Sequence, residues 1–299
     1  MNNLRKTDLN PVDSYSIIII TYNRSEILSK ILESLCRYNW TYNELVLVDN
    51  NSEDETSRII EKYGDILKIK LIKSNENLGH GGGLALALDY LIKVGSTPEY
   101  LIFLEDDSIP AKELPGNLIS QISKSEFSLL SPLGSIASLG KRTLIFPSLG
   151  EIEEVDFAVF DGAIMNFDVV LKVGVPERDW FMMVDDYEYC YRIKKAGFKM
   201  GVVHNDFHHI MHLGAGSGFS SSSLWRGYYQ ERNYVFFVKK HLTLFNLTDF
   251  IVFFTKRVLA SFSAPDRNQR IKLKFIGLWH GITNKKGRAL DPKTLRFIS

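Results

Sequence analysis

Two hydrophobic rhythms alternate along the first third of the chain. Four consecutive isoleucines at 17–20 are closed by Thr21-Tyr22-Asn23-Arg24, after which Ile27, Leu28, Ile31, Leu32 and Leu35 recur at three- and four-residue spacing. An unbroken β-branched run predicts a buried strand, here over 16–20, and the later spacing predicts an amphipathic helix. The beat repeats with a strand at 45–48. It returns at 66–72, where the glycine-rich stretch 77–83 leads into a helix through Leu84, Leu88, Leu91 and Ile92. A fourth run, 100–104, leads straight into Glu105-Asp106-Asp107. Asn23 with Glu26, and Ser52 with Glu55, have the spacing of capping boxes and would start the first two helices.

Strands alternating with helices at this interval predict an α/β fold with a mostly parallel sheet, which binds ligands beyond the carboxyl ends of its strands. The polar signatures lie at those ends: Asn23 after the first strand, Asp49 closing the second, the acidic triplet closing the fourth. The stretch 214–223, GAGSGFSSSS, reads as a loop able to act as a lid. Aromatic-rich helices are expected at 225–241 and 245–262, so the chain divides into a catalytic unit, 1–223, and a helical C-terminal region, 224–299.

Composition changes this picture in one respect. With 299 residues, 45% of them apolar, the chain can bury one sizeable core and a smaller appended unit. The net charge of +1 hides an asymmetry: residues 224–299 hold fifteen Lys and Arg against four acids, about +11, which leaves 1–223 at about −10. An acidic front suits metal-carboxylate chemistry, and a basic tail suits anionic phosphate or lipid headgroups, or else a solvated helical face. Two distant cysteines, Cys36 and Cys190, suggest neither a disulfide framework nor zinc, and agree with a reducing, cytoplasmic setting. No run is long enough to span a bilayer, no leader-like segment opens the chain, and no nucleic-acid partner is indicated.

Three adjacent carboxylates repel one another unless a cation neutralises them, and alternate residues of an extended segment face the same way, so Glu105 and Asp107 can share one ion. A surface acidic turn is the plain alternative. Downstream, 180–197 reads as a helix starting near Asp185, with Lys194 and Lys195 in its last turn and Gly197 as its stop. Asp186 at that N-terminus is a candidate general base, or simply a helix cap. His204, His208, His209 and His212 fall within nine positions of a chain with seven histidines, which points to metal or phosphate contact. His212 is preferred as the ligand that completes an oxygen-rich shell. The glycine run lacks both the P-loop and the dinucleotide spacing, yet at a helix start it offers N–H groups to an anion, beginning at Gly79.

These motifs together resemble the inverting glycosyltransferases of family 2, of GT-A fold, and within them the galactofuranosyltransferase-like and rhamnosyltransferase-like branch. The resemblance rests on IIIITYNR, LVLVDNNSEDET, NENLGHGGG, FLEDDSIP, VDFAVFDGAIM, WFMMVDDYEYCYRIKKAGF, HHIMHLGAGSG and YYQERN, in that order across 16–241. It implies that Thr21, Asn23, Arg24, Asp49, Asn77 and Gly79 contact the donor, that Asp106 and Asp107 hold ribose and metal, and that Asp186 is the base. His212 would complete the metal shell, with His208 or His209 as alternatives, and Trp180 and Asp185 would line the acceptor site. The branch usually opens its metal motif with Asp, where this chain has Glu105. The Arg232-Asn233 pair matches a family signature without disclosing its role.

The implied reaction is a single displacement assisted by Mg2+ or Mn2+, from a nucleoside-diphosphate sugar with a UDP or dTDP carrier. Galactofuranose or rhamnose would pass to a growing cell-surface glycan on a lipid carrier. Competing readings are a nucleotidyltransferase acting on sugar phosphates and a catalytically silent carbohydrate-binding protein. Leu244, Leu247, Ile251, Phe254, Val258 and Leu259, beside Lys256 and Arg257, suggest a helix lying at the inner membrane leaflet, or packed on the core or on another subunit of a homo-oligomer.

Overall fold

The computed structural model describes residues 14–204, the strand at 211–212, and 224–298. The expected beat is present. β1 (Tyr15–Thr21), α1 (Ser25–Tyr38), β2 (Leu45–Asp49), α2 (Thr56–Tyr63), β3 (Ile69–Lys73), α3 (Gly79–Lys93) and β4 (Tyr100–Glu105) follow one another. After them come β5 (Ser108–Ile109), α4 (Leu114–Ile122), β6 (Leu129–Ser131), β7 (Gly134–Ser138), β8 (Lys141–Ile145), β9 (Ile152–Glu154), β10 (Phe157–Ala158) and β11 (Ile164–Asn166). Then come α5 (Phe167–Val173), α6 (Asp185–Lys195), β12 (Met200–Val203) and β13 (Met211–His212), followed by α7 (Leu224–Lys240), α8 (Leu244–Ser261) and α9 (Arg267–Ile282).

Eight strands form the main sheet in the order β3-β2-β1-β4-β11-β6-β12-β9. The β3-to-β4 half is wholly parallel, whereas β11 runs antiparallel to both β4 and β6. Side chains of β1 and β2 alternate between two cores. Ile18, Val46 and Val48 pack with α3 and α6, and Ile17, Ile19, Leu45 and Leu47 pack with α1, α2 and α4. Covering on both faces is why these strands read as continuous apolar runs.

The chain leaves β1 toward β2 and β3 and returns to place β4 on the other side of β1. This reversal opens a crevice at the carboxyl ends of β1 and β4, the usual ligand position in such sheets. In register, Thr21 lies opposite Asp49, and Ile20 opposite Glu105. The polar ends of three strands therefore share one edge.

Two local expectations are corrected. Neither capping box forms: Arg24 and Glu55 are the N-cap residues, without side-chain caps. Asp54 serves both helices instead, accepting from the Ser25 N–H at 3.0 Å and from the Thr56 N–H at 3.1 Å. Nor does the glycine stretch precede its helix; α3 begins at Gly79, so Gly81–Gly83 are its first turns.

Candidate active site

The crevice is a cleft of about 590 Å3, lined by Thr21, Asn23, Arg24, Asn77, Gly79 and Asp106 among others. Six of the seven proposed donor contacts thus meet in one space. The seventh, Asp49, is buried and does not line it; its carboxylate accepts from the Ser52 N–H at 2.9 Å and so shapes the loop after β2. Arg24 bridges two acids, with its Nη1 2.8 Å from Asp106 Oδ1 and 2.5 Å from Asp107 Oδ2. Burial raises the Asp106 carboxyl above the usual range, and Arg24 works against that rise. From the C-terminal region Arg288 and Lys293 also line the cleft, two members of the basic tail that the sequence did not single out.

At the acidic corner Glu105 keeps an exposed edge, yet lost solvation of its carboxyl, followed by the charge of Asp161, pushes it up to about 7. Asp161 is a site residue that lay unrecognised inside the VDFAVFDGAIM segment. Its carboxylate accepts from the Glu105 N–H at 3.0 Å and from the Ser108 hydroxyl at 2.8 Å, fixing the turn that carries the triplet. Asp107 Oδ1 is buried and has no hydrogen-bond partner among the described residues. β13 pairs with β5 in a register that sets His212 opposite Ser108, the residue after Asp107. The His212 side chain, His208, His209 and the 214–223 loop lie outside the described residues.

Part of the same lining, His80, Phe181 and Met182, comes from α3 and the segment leading into α6, which pack against each other. A Cβ on Gly79 would run into the Phe181 carbonyl, and one on Gly81 would lie 2.9 Å from the Asp185 side chain. Absence of side chains is thus what lets the two backbones touch. The contact carries His80 between the two carboxylates, its Nδ1 3.3 Å from Asp185 Oδ2 and 3.4 Å from Asp186 Oδ1. Burial opposes the charge on His80, but hydrogen bonds to Asp185 and Asp186 outweigh it and raise its pKa well above the ordinary value. In turn, burial and the neighbouring Asp186 raise Asp185, while Asp186, half-buried, is drawn below the usual carboxylate range by His80 against the pull of lost solvation. This trio is also the one group among the described residues whose ligand atoms lie close enough, within 4.8 Å, to hold a metal ion.

The segment that delivers the two aspartates is strained. Phe181, Met183 and Val184 all have left-handed φ values, +68°, +70° and +68°. For a β-branched residue such as Val184 that conformation is costly and needs support from its surroundings. The support is the pair whose role the sequence left open. Asn233 Nδ2 donates to the carbonyls of Trp180, Met182 and Met183, each at 2.8 Å, and Arg232 Nη2 donates to the Trp180 carbonyl at 2.7 Å. Both side chains are wholly buried. Trp180 itself is buried against Phe236 of α7, so its indole packs the base of this turn.

The sequence profile described as glycosyl transferase family 2 matches residues 16–143. This stretch is a family 2 glycosyltransferase domain. The glycosyltransferase is 23% identical over 206 residues to galactofuranosyltransferase GlfT1 of Mycolicibacterium smegmatis, covering 62% of this chain and 66% of that one. It is 27% identical over 210 residues to the amylovoran biosynthesis glycosyltransferase AmsB of Erwinia amylovora, covering 64% and 67%. The chain thus spans about two thirds of the length of these relatives. Its fold matches a mannosyltransferase of Pyrobaculum calidifontis solved with GDP-Man and Mn2+, with a TM-score of 0.57, 14% identity and coverage of 91% and 87%. The expected family and the GT-A fold of the glycosyltransferase are borne out.

Proposed function

We propose that this glycosyltransferase moves galactofuranose or rhamnose from a UDP or dTDP donor onto a lipid-linked glycan acceptor, with inversion at the anomeric carbon. The observation that carries the proposal is that the cleft brings the donor-side residues together with His80, the partner of two aspartates. Arg24, Asn77 and Asp106 line it together with His80, Phe181 and Met182, and His80 in turn contacts Asp185 and Asp186 at the end of the turn that α7 supports. Arg24, with Arg288 and Lys293, supplies positive charge for a diphosphate. Asp186, kept ionised by His80, takes the proton of the acceptor hydroxyl. The hydroxyl oxygen then bonds to the anomeric carbon as the bond to the diphosphate oxygen breaks.

A divalent cation fits the acidic corner, because the orphaned Asp107 Oδ1 and the Glu105 carboxylate are hard oxygen donors of the kind that Mg2+ and Mn2+ prefer. Asp107, Glu105 and His212 would hold it. When bound, it would neutralise the charge of the leaving nucleoside diphosphate.

The test is a panel of nucleotide sugars with a purified acceptor glycan, read as free nucleoside diphosphate. Wild-type protein releases the diphosphate with one donor, whereas pyrophosphate as the product would instead indicate nucleotidyl transfer. Asp186→Asn should slow turnover by on the order of 10²- to 10⁴-fold while donor-induced thermal stabilisation persists. Near-normal turnover in that variant would remove Asp186 from the role of base.

A further inference from the structure

The helices after residue 240 leave an apolar face bare. On α8 and its C-cap, Leu244, Leu247, Ile251, Leu259 and the cap residue Phe262 are exposed by 84, 39, 52, 62 and 57%. At 100° per residue they fall within an arc of about 120° on one side of the helix. On α9, Phe275, Trp279 and Ile282, exposed by 49, 62 and 53%, form a second stripe at three- and four-residue spacing. The two stripes are contiguous. Phe254 of α8 meets Phe275 of α9 edge-on at 5.4 Å, and Leu247, Leu278 and Ile282 line one shallow apolar groove between the helices. Bare apolar surface on this scale marks a contact site.

Charge says what kind. All four acids of the C-terminal region are paired: Glu231 with Arg257 at 2.7 Å, Asp266 with Arg270 at 2.8 Å and Asp291 with Arg288 at 2.7 Å within it, and Asp249 with Arg142 of β8 at 2.7 Å. None of the four is exposed, while Lys239, Lys256, Arg267 and Lys272 are. Lys272 lies on the Phe275–Trp279 stripe one turn before it, and Lys239 reaches the carbonyl of Ile282 at the far end of the groove. The apolar face therefore has a basic rim that no exposed acid of the C-terminal region answers. A second copy of the chain, placed face to face, would set that rim against its own like charge. An anionic lipid surface satisfies both features, taking Leu, Phe and Trp side chains at the headgroup boundary and Lys and Arg at its phosphates. No helix among the described residues is long and apolar enough to cross a membrane, which leaves a helix pair lying in the interface plane.

We propose that the exposed faces of α8 and α9 dock the protein on an anionic membrane surface, with Trp279 and Ile251 entering the headgroup region and Lys272 at its rim. This inference stands on the C-terminal surface and is independent of the catalytic reading. It also corrects one sequence expectation: Arg257 turns inward to Glu231 and is no part of the rim.

The test uses the full chain with vesicles of phosphatidylcholine alone or mixed with phosphatidylglycerol, read by flotation and by the part of the tryptophan emission that is lost in Trp279→Phe. Wild-type protein should float with the mixed vesicles, shift its emission to the blue, and be released by high salt. The double variant Ile251→Ser, Trp279→Ser changes two exposed residues and should keep its fold; Lys272→Glu reverses one rim charge. Each should weaken partitioning by about tenfold or more, with transfer to a soluble acceptor unchanged. Failure of wild type to float, or flotation that neither variant weakens, would overturn the proposal. So would a stable oligomer that the double variant converts to monomers, which would give this face to a second copy. None of these outcomes bears on whether Asp186 is the base.

Discussion

The Nδ1 of His80 sits 3.4 Å from a carboxylate oxygen of Asp186, in the first turn of a helix whose glycines allow the approach. His80 therefore holds the proposed base both in place and in charge. In His80→Gln, Asp186 loses the cation that lowers its pKa, so the acid limb of the kcat profile should move to higher pH. Misplacement of the carboxylate should cost roughly 100-fold in kcat. Steady-state rates across pH check both. A stability effect accompanies them. Because the folded pKa of His80 is raised, its contribution is complete below the ordinary histidine value of 6.5 and fades as pH rises through the folded one. The stability gap between wild type and variant should narrow in that direction, which urea melts at several pH values would show.

Asn233 is the residue whose loss should tell most about the catalytic turn. Asn233→Ala strips one donor group from three backbone carbonyls; that of Trp180 keeps Arg232, while the part-buried carbonyls of Met182 and Met183 lose this donor. The expected loss is about 3 kcal/mol of stability, with turnover falling further than the melting temperature alone explains. Chemical denaturation beside single-turnover kinetics at low temperature separates the two effects. Normal turnover in a folded Asn233→Ala protein would show that the turn holds its shape unaided.

Glu105 makes the acidic corner pH-sensitive. Its carboxyl ordinarily titrates near 4.5 and here does so at about 7, chiefly through lost solvation, so the folded state keeps a proton that the unfolded state has released. Stability should fall as pH rises from about 4.5 to about 7 and level off above that range. Glu105→Gln should flatten this slope. A cation bound at the same corner must displace the proton, so Mn2+ affinity should weaken below pH 7 in wild type and lose that dependence in the variant. Titration calorimetry in two buffers of different ionisation enthalpy measures the released proton directly.

The parallel half of the sheet was open to inspection in the sequence because β1, β2 and β4 are buried on both faces and read as unbroken apolar runs. The strands β5 to β13 run to at most five residues, and several keep one wet face, so neither length nor alternation marks them. α9 escaped because lysines interrupt its apolar stripe, the price of facing outward. Carboxylates at strand ends announced themselves, since like charges gathered at a sheet edge ask for a reason. His80 did not, although a lone histidine inside a glycine run near an acidic site was the available signal. Arg232 and Asn233 act on carbonyls some fifty residues away, and no local spacing encodes a contact of that kind.

The left-handed turn at Phe181, Met183 and Val184 has a consequence for how the chain can be divided. A protein cut after residue 223 would keep every strand of the main sheet and each carboxylate of the site, yet lose all four hydrogen bonds that hold the turn open. Relaxed to ordinary backbone angles, the turn would swing Asp185 and Asp186 away from His80. The seam between sheet and helices is thus a feature of the chain's order and not of its energetics. Any exchange of the helical part between relatives would have to carry residues 180–184 along with it.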